Sequence, residues 1–122
     1  MKKQVKVVVV DDNEAVIRSV KDYFKDSEII SVVGGFTNGK DALNYLLQYP
    51  DQYDLLMLDL ILTQFDGIRI IEELKNHNIN KKIMVLSSFK DDFTIRRVQA
   101  LGASYFMLKP VDMEIVNSRI MD

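Results

Sequence analysis

The sequence has no cysteine, no long hydrophobic run and no surplus of charge of one sign. Without cysteine there are neither disulfides nor thiolate metal sites, so any metal must be held by oxygen, and a reducing compartment is compatible. The stretch from Met1 to Val10 has too few apolar residues for a secretion signal or a membrane span, so a cytoplasmic protein is expected. Net charge is −2 with both signs interspersed, which lacks the basic footprint of nucleic-acid binding. No glycine-rich phosphate loop follows the first apolar run, and no repeat, linker or low-complexity tract is visible.

What is present is ordinary globular composition, 48% hydrophobic and 28% charged over 122 residues, the size of one domain with its own core. Short β-branched runs at Val5–Val10, Ile29–Val33, Leu55–Leu58, Ile83–Leu86 and Tyr105–Leu108 read as buried strands. Four are apolar at nearly every position, as in a parallel sheet covered on both faces; Ile29–Val33, interrupted by Ser31, suits an edge. Between the runs lie helical spacings: Val16, Val20 and Phe24; Ala42, Leu43, Leu46 and Leu47; Ile68, Ile71 and Leu74; Ile95, Val98 and Leu101; Met113, Val116 and Ile120. Start signals agree with them at Asn38 with Asp41, at Asp66-Gly67 and at Asp91-Asp92, and Gly102 reads as a stop. Strict alternation implies a three-layer α/β fold. The last helix, reaching Asp122 without a cap, reads as shortened, so this is expected to be one domain, 1–122, at the N-terminal side of a longer regulator.

In such a sheet, ligands bind beyond the carboxyl ends of the strands. Those ends carry Asp11-Asp12, Asp59, Ser87-Ser88 and Lys109-Pro110. Converging carboxylates would raise one another's pKa unless a cation neutralised them. With oxygen ligands alone, Mg²⁺ is the expected ion, with Asp12 and Asp59 as direct ligands and Asp11 through water; Mn²⁺ or Ca²⁺ would also suit. A carboxylate in that setting can be a nucleophile, and a phosphoryl group on it would need Lys109, the Ser87 hydroxyl and backbone N–H groups following Asp59 and Ser87, at Ile61 and Ser88.

Together these features resemble the response-regulator receiver family over essentially the whole chain. Within that family, Gly102-Ala103-Ser104-Tyr105-Phe106, Lys109-Pro110 and Asp112-Met113-Glu114 are most similar to the receivers of sporulation regulators of spore-forming bacteria. The resemblance implies a flavodoxin-like doubly wound (βα)5 sandwich with parallel strand order 2-1-3-4-5. It implies that Asp59 accepts a phosphoryl group from a sensor histidine kinase or a histidine phosphotransfer protein, and that Asp11, Asp12, Asp59 and the Ile61 carbonyl surround the metal. Ser87 and Phe106 would be the switch pair, and the fourth helix, fifth strand and fifth helix would face an output domain, of DNA-binding type in a sporulation regulator. Many members carry Met-Pro after the acceptor strand; here Thr63 stands where the proline would be, and Ser88 replaces a frequent alanine.

Singly, each of these residues has a plainer reading. Asp11-Asp12-Asn13 could cap the first helix, Lys109 could be a solvated charge and Phe106 could be core. His77, among asparagines at a helix end, reads as a solvated residue without a partner. The chain is expected to be a switch and not a metabolic enzyme, with a homodimer possible in principle. The alternatives are a free-standing phosphorelay intermediate, an aspartyl-phosphate phosphatase, and a nucleotide binder. The phosphatase would want a second carboxylate where Ile61 stands, and Asp11-Asp12 would repel an anionic nucleotide.

Overall fold

The computed structural model describes residues 4–62 and 66–122; the Thr63 position lies outside them. Strands and helices alternate as β1 (Val5–Val10), α1 (Glu14–Phe24), β2 (Ile30–Phe36), α2 (Gly39–Gln48), β3 (Leu55–Asp59), α3 (Gly67–Asn76), β4 (Lys82–Ser87), α4 (Asp92–Ala100), β5 (Tyr105–Leu108) and α5 (Met113–Met121). A 3-10 turn, Pro50–Gln52, which the periodicity does not announce, leads into β3. The strands form one parallel sheet in the order β2-β1-β3-β4-β5, the doubly wound flavodoxin-like arrangement expected.

Period-two alternation along the strands builds two cores. Val8, Val10, Leu56, Leu58 and Val85 face α2, α3 and α4 through residues such as Leu46, Ile71 and Val98. Val7, Val9, Leu55, Met57 and Leu86 face α1 and α5 through Phe24, Val116 and Ile120. Local capping starts the helices: the side chains of Asn13, Asn38, Asp66, Asp91 and Asp112 each accept a backbone N–H from the first turn that follows. Gly102, at φ +103°, ends the α4 turn in a conformation that L side chains rarely adopt.

Two expectations are corrected. The second strand is shifted and longer, Ile30–Phe36 and not Ile29–Val33, because Gly34 and Gly35 continue the pairing with β1 past a register shift at Val7/Val8. Glycine is required there by packing: a Cβ on Gly35 would lie 2.6 Å from Ile17 Cγ2 of α1. The fifth strand lies at the other edge, as the expected order has it, but it is not covered like the inner ones: it is partly exposed throughout, with Leu108 at 44%. Strands β3 and β4 each run one residue further than their apolar runs, so Asp59 and Ser87 are the last residues of strands and inherit their rigidity. No helix among the described residues is long and apolar enough to cross a membrane.

Candidate functional site

The acidic pair lies just beyond β1, where the Asp11 N–H donates to the Phe36 carbonyl of β2 at 3.0 Å. Asn13, and neither aspartate, caps α1, leaving Asp11 available; Asp11 Oδ1 accepts the Asn13 N–H at 2.9 Å. Asp59 ends β3, and the backbone N–H of the next residue, Leu60, still donates to Leu86 of β4. Carboxylate oxygens of Asp11, Asp12 and Asp59 lie within 4.8 Å of one another, with Asp11 and Asp59 buried and Asp12 exposed. Strand pairing thus gathers residues 48 positions apart into one cluster.

Lys109 completes it from the loop after β5, where its N–H donates to the Ser87 carbonyl at 2.8 Å. Its Nζ lies 2.7 Å from Asp11 Oδ2 and 3.0 Å from Asp59 Oδ2. The Lys109–Pro110 peptide is cis. Two buried carboxylates therefore share one ammonium. Burial raises the Asp59 pKa above its ordinary value of 3.8; the Lys109 and Ile61 hydrogen bonds oppose this, while the Asp11 charge adds a smaller upward push. Burial, more than repulsion between carboxylates, is thus the dominant cause. For Lys109, burial alone would lower the pKa, but its close contacts with the Asp11 and Asp59 carboxylates outweigh it and raise the value.

The residues fit a hard divalent cation. Asp11 Oδ2 is fully buried and accepts no hydrogen bond of good geometry, since its approach to Lys109 is a charge contact only. Lys109 answers that oxygen only in part, because its single charge is shared with Asp59 and faces three clustered carboxylates, and an all-oxygen set of two or three carboxylates is the donor chemistry that Mg²⁺ takes.

Other expected residues are placed less directly. The Ile61 N–H donates to Asp59 Oδ1 at 3.2 Å, orienting the carboxylate, and its side chain is 58% exposed. Ser87 is buried, yet its hydroxyl is turned to its own loop, donating to the Phe89 carbonyl at 3.0 Å and accepting the Phe89 N–H at 3.1 Å. Ser88 is exposed at the start of that loop. Phe106 is half-buried, packed against the core beneath α2, α3 and α4. His77 is exposed but not without a partner, as its Nδ1 lies 2.8 Å from the Glu73 carbonyl one turn back. Sequence reasoning missed the weight of Gly67, whose N–H donates to the Leu60 carbonyl at 3.0 Å; the Asp66-Gly67 pair marked only a helix start.

The family model described as "Response regulator receiver domain" matches residues 7–121. The chain belongs to the response regulator receiver domain family. Among solved structures, this receiver is similar to a response regulator receiver protein from Pseudomonas putida, at 27% identity and TM-score 0.84, with 99% of this chain and 98% of that one covered. It is similar to the receiver domain of the Francisella response regulator 1452, at 25% identity and TM-score 0.84, covering 97% and 94%. A chain in the CheX-CheY-BeF3-Mg²⁺ complex of Borrelia burgdorferi shares the fold, at 22% identity and TM-score 0.87, covering 96% and 87%. Receivers of this family bind Mg²⁺ at an acidic pocket, and this chain has an acidic cluster of Asp11, Asp12 and Asp59.

Proposed function

We propose that this receiver is a phosphorylation-activated switch whose acceptor is Asp59. The single observation that carries the reading is the buried Asp59 carboxylate beside Asp11, both on the ammonium of Lys109. In the transfer, an Asp59 oxygen bonds to phosphorus as the phosphorus–nitrogen bond of a phosphohistidine breaks; the imidazole leaves with that bond's electron pair. Asp11, Asp12, Asp59 and the Ile61 carbonyl would hold Mg²⁺, which supplies positive charge to the phosphoryl oxygens. Lys109 supplies a second, fixed charge that is already desolvated and needs no reorganisation.

The Ile61 and Ser88 N–H groups are assigned to the remaining phosphoryl oxygens, Ile61 exchanging its bond to Asp59 Oδ1 for one to phosphate. Ser87 is assigned as the reader: its hydroxyl leaves the Phe89 backbone for the phosphoryl group, and Phe106 follows it. The protein then catalyses only its own phosphorylation and dephosphorylation. The donor is a sensor histidine kinase or histidine phosphotransfer protein, and the output domain is met through α4, β5 and α5, where Leu108 and Ile115 are exposed. We assign the chain to the cytoplasm and its output to DNA-binding transcription control. The sporulation assignment rests on the residues from Gly102 to Phe106 and from Asp112 to Glu114 alone.

The test is intact mass after incubation with acetyl phosphate, with and without Mg²⁺, comparing the native chain with Asp59→Ala. Gain of one phosphoryl group that requires both the metal and Asp59 supports the reading. A native chain that binds Mg²⁺ but never gains mass removes it.

A further inference from the structure

The acceptor segment is held on two sides, and only one of them is the sheet. On the β4 side, the Leu60 N–H donates to the Leu86 carbonyl at 3.2 Å. On the other side lies Gly67, the first residue of α3, buried, with its N–H on the Leu60 carbonyl at 3.0 Å. A Cβ placed on Gly67 would stand 2.6 Å from the Asp59 carbonyl oxygen, 2.8 Å from Leu60 Cα and 3.2 Å from the Leu60 carbonyl oxygen. All three are backbone atoms, so no side chain can swing aside. The first distance is about 1 Å short of an ordinary non-bonded contact. The same backbone carries the Asp59 carboxylate and, one residue on, the Ile61 N–H that orients it.

We infer that Gly67 is a positioning residue: by lacking a side chain it lets the start of α3 lie flush on β3 and so sets where the Asp59 carboxylate and the Ile61 backbone stand. The inference rests on the reading of Asp59 as the phosphoacceptor within an acidic metal pocket. Any side chain at residue 67 must push α3 off the strand end or displace Asp59 and Leu60. Displacements of that size at reacting groups cost on the order of a hundredfold in rate. Asp66 belongs to the same device, because its carboxylate caps α3 by accepting the Arg69 N–H at 3.0 Å and so anchors the helix start.

The experiment compares Gly67→Ala with Ile70→Val, which trims a fully buried side chain one turn further along the same helix. Three quantities are read: the Mg²⁺ dissociation constant by calorimetric titration without phosphodonor, the rate of phosphoryl gain from acetyl phosphate at saturating Mg²⁺, and the urea midpoint. Gly67→Ala is expected to weaken Mg²⁺ binding and slow phosphoryl gain, each by about tenfold or more. Ile70→Val is expected to lower the urea midpoint while leaving affinity and rate within about twofold of native. Should Gly67→Ala fail to fold, Asp66→Ala, which loosens the helix start and keeps the glycine, is expected to show the same pattern on a smaller scale. Native affinity and rate in a folded Gly67→Ala, or failing that in Asp66→Ala, overturn the inference. A native chain that never accepts phosphoryl removes the reading beneath it, a result distinguishable because it appears before any variant is compared.

Discussion

Helices α3 and α4 cover the same face of the sheet on either side of β4's end, yet they are seated very differently. Helix α3 buries Gly67, Ile70, Ile71 and Leu74, at least one residue on each turn, while α4 buries Val98 alone. Phe89 and Phe93, around the start of α4, are 65% and 72% exposed. The bridge between the two helices is Arg97 to Glu72 at 3.7 Å, half-exposed and therefore worth little. Firm seating sits against the end of β3, beside Asp59. The shallow seat follows the loop that Ser87 ties down with two hydrogen bonds, so releasing one hydroxyl frees a weakly held element.

That contrast can be broken most forcefully at Lys109. Lys109→Ala leaves two buried carboxylates without their cation and is expected to cost about 3 kcal/mol in metal-free buffer, with a substantial part restored by Mg²⁺. Urea unfolding with and without Mg²⁺ checks both halves; an equal loss in both buffers would mean that the acidic end is not held by charge balance. On the helices themselves, Leu74→Ala in α3 should cost about 3 kcal/mol and Ile95→Ala in α4 under about 1 kcal/mol, since Leu74 is fully buried and Ile95 only half. Equal costs would erase the distinction between the two seats.

Smaller effects sharpen it. Asp59→Asn keeps the shape and removes one buried charge, so the metal-free protein should gain on the order of 1 kcal/mol. The pH dependence follows from the same groups. Both carry raised pKa values, so each contribution is full below the unfolded value and is lost as pH rises through the folded one. For Asp59 that window opens upward from 3.8, and for Lys109 upward from 10.5. Urea midpoints measured against pH should therefore fall across the mildly acid range in the native chain and flatten there in Asp59→Asn. Least of all, Ser87→Ala should cost about 1 kcal/mol or less, while hydrogen exchange at the start of α4 speeds up and that of α3 does not change.

Much of this is legible in the sequence. The β-branched runs marked the strands because inner parallel strands are apolar on both sides, and the polar residues ending them fell where an open sheet binds ligands. Tyr105–Leu108 misled because an apolar run looks the same on an edge as inside, and exposure depends on whether anything lies beyond it. The end of β2 was missed because Gly34-Gly35 reads as a turn when its neighbours are unknown, whereas Ile17 makes glycine a packing requirement. His77 was given no partner because its partner is a backbone carbonyl, which residue types do not display.

The sequence by itself determined the alternation of strand and helix, the polar residues at four of the five strand ends and the absence of any thiolate ligand, because periodicity, capping and ligand type are local properties of residues. Only the tertiary structure decided that Asn13 caps α1 and leaves Asp11 available, that Lys109 stands between Asp11 and Asp59, and that Gly67 lies flush on the end of β3. Those are approaches between segments far apart in the chain, fixed by how strands pair and helices pack.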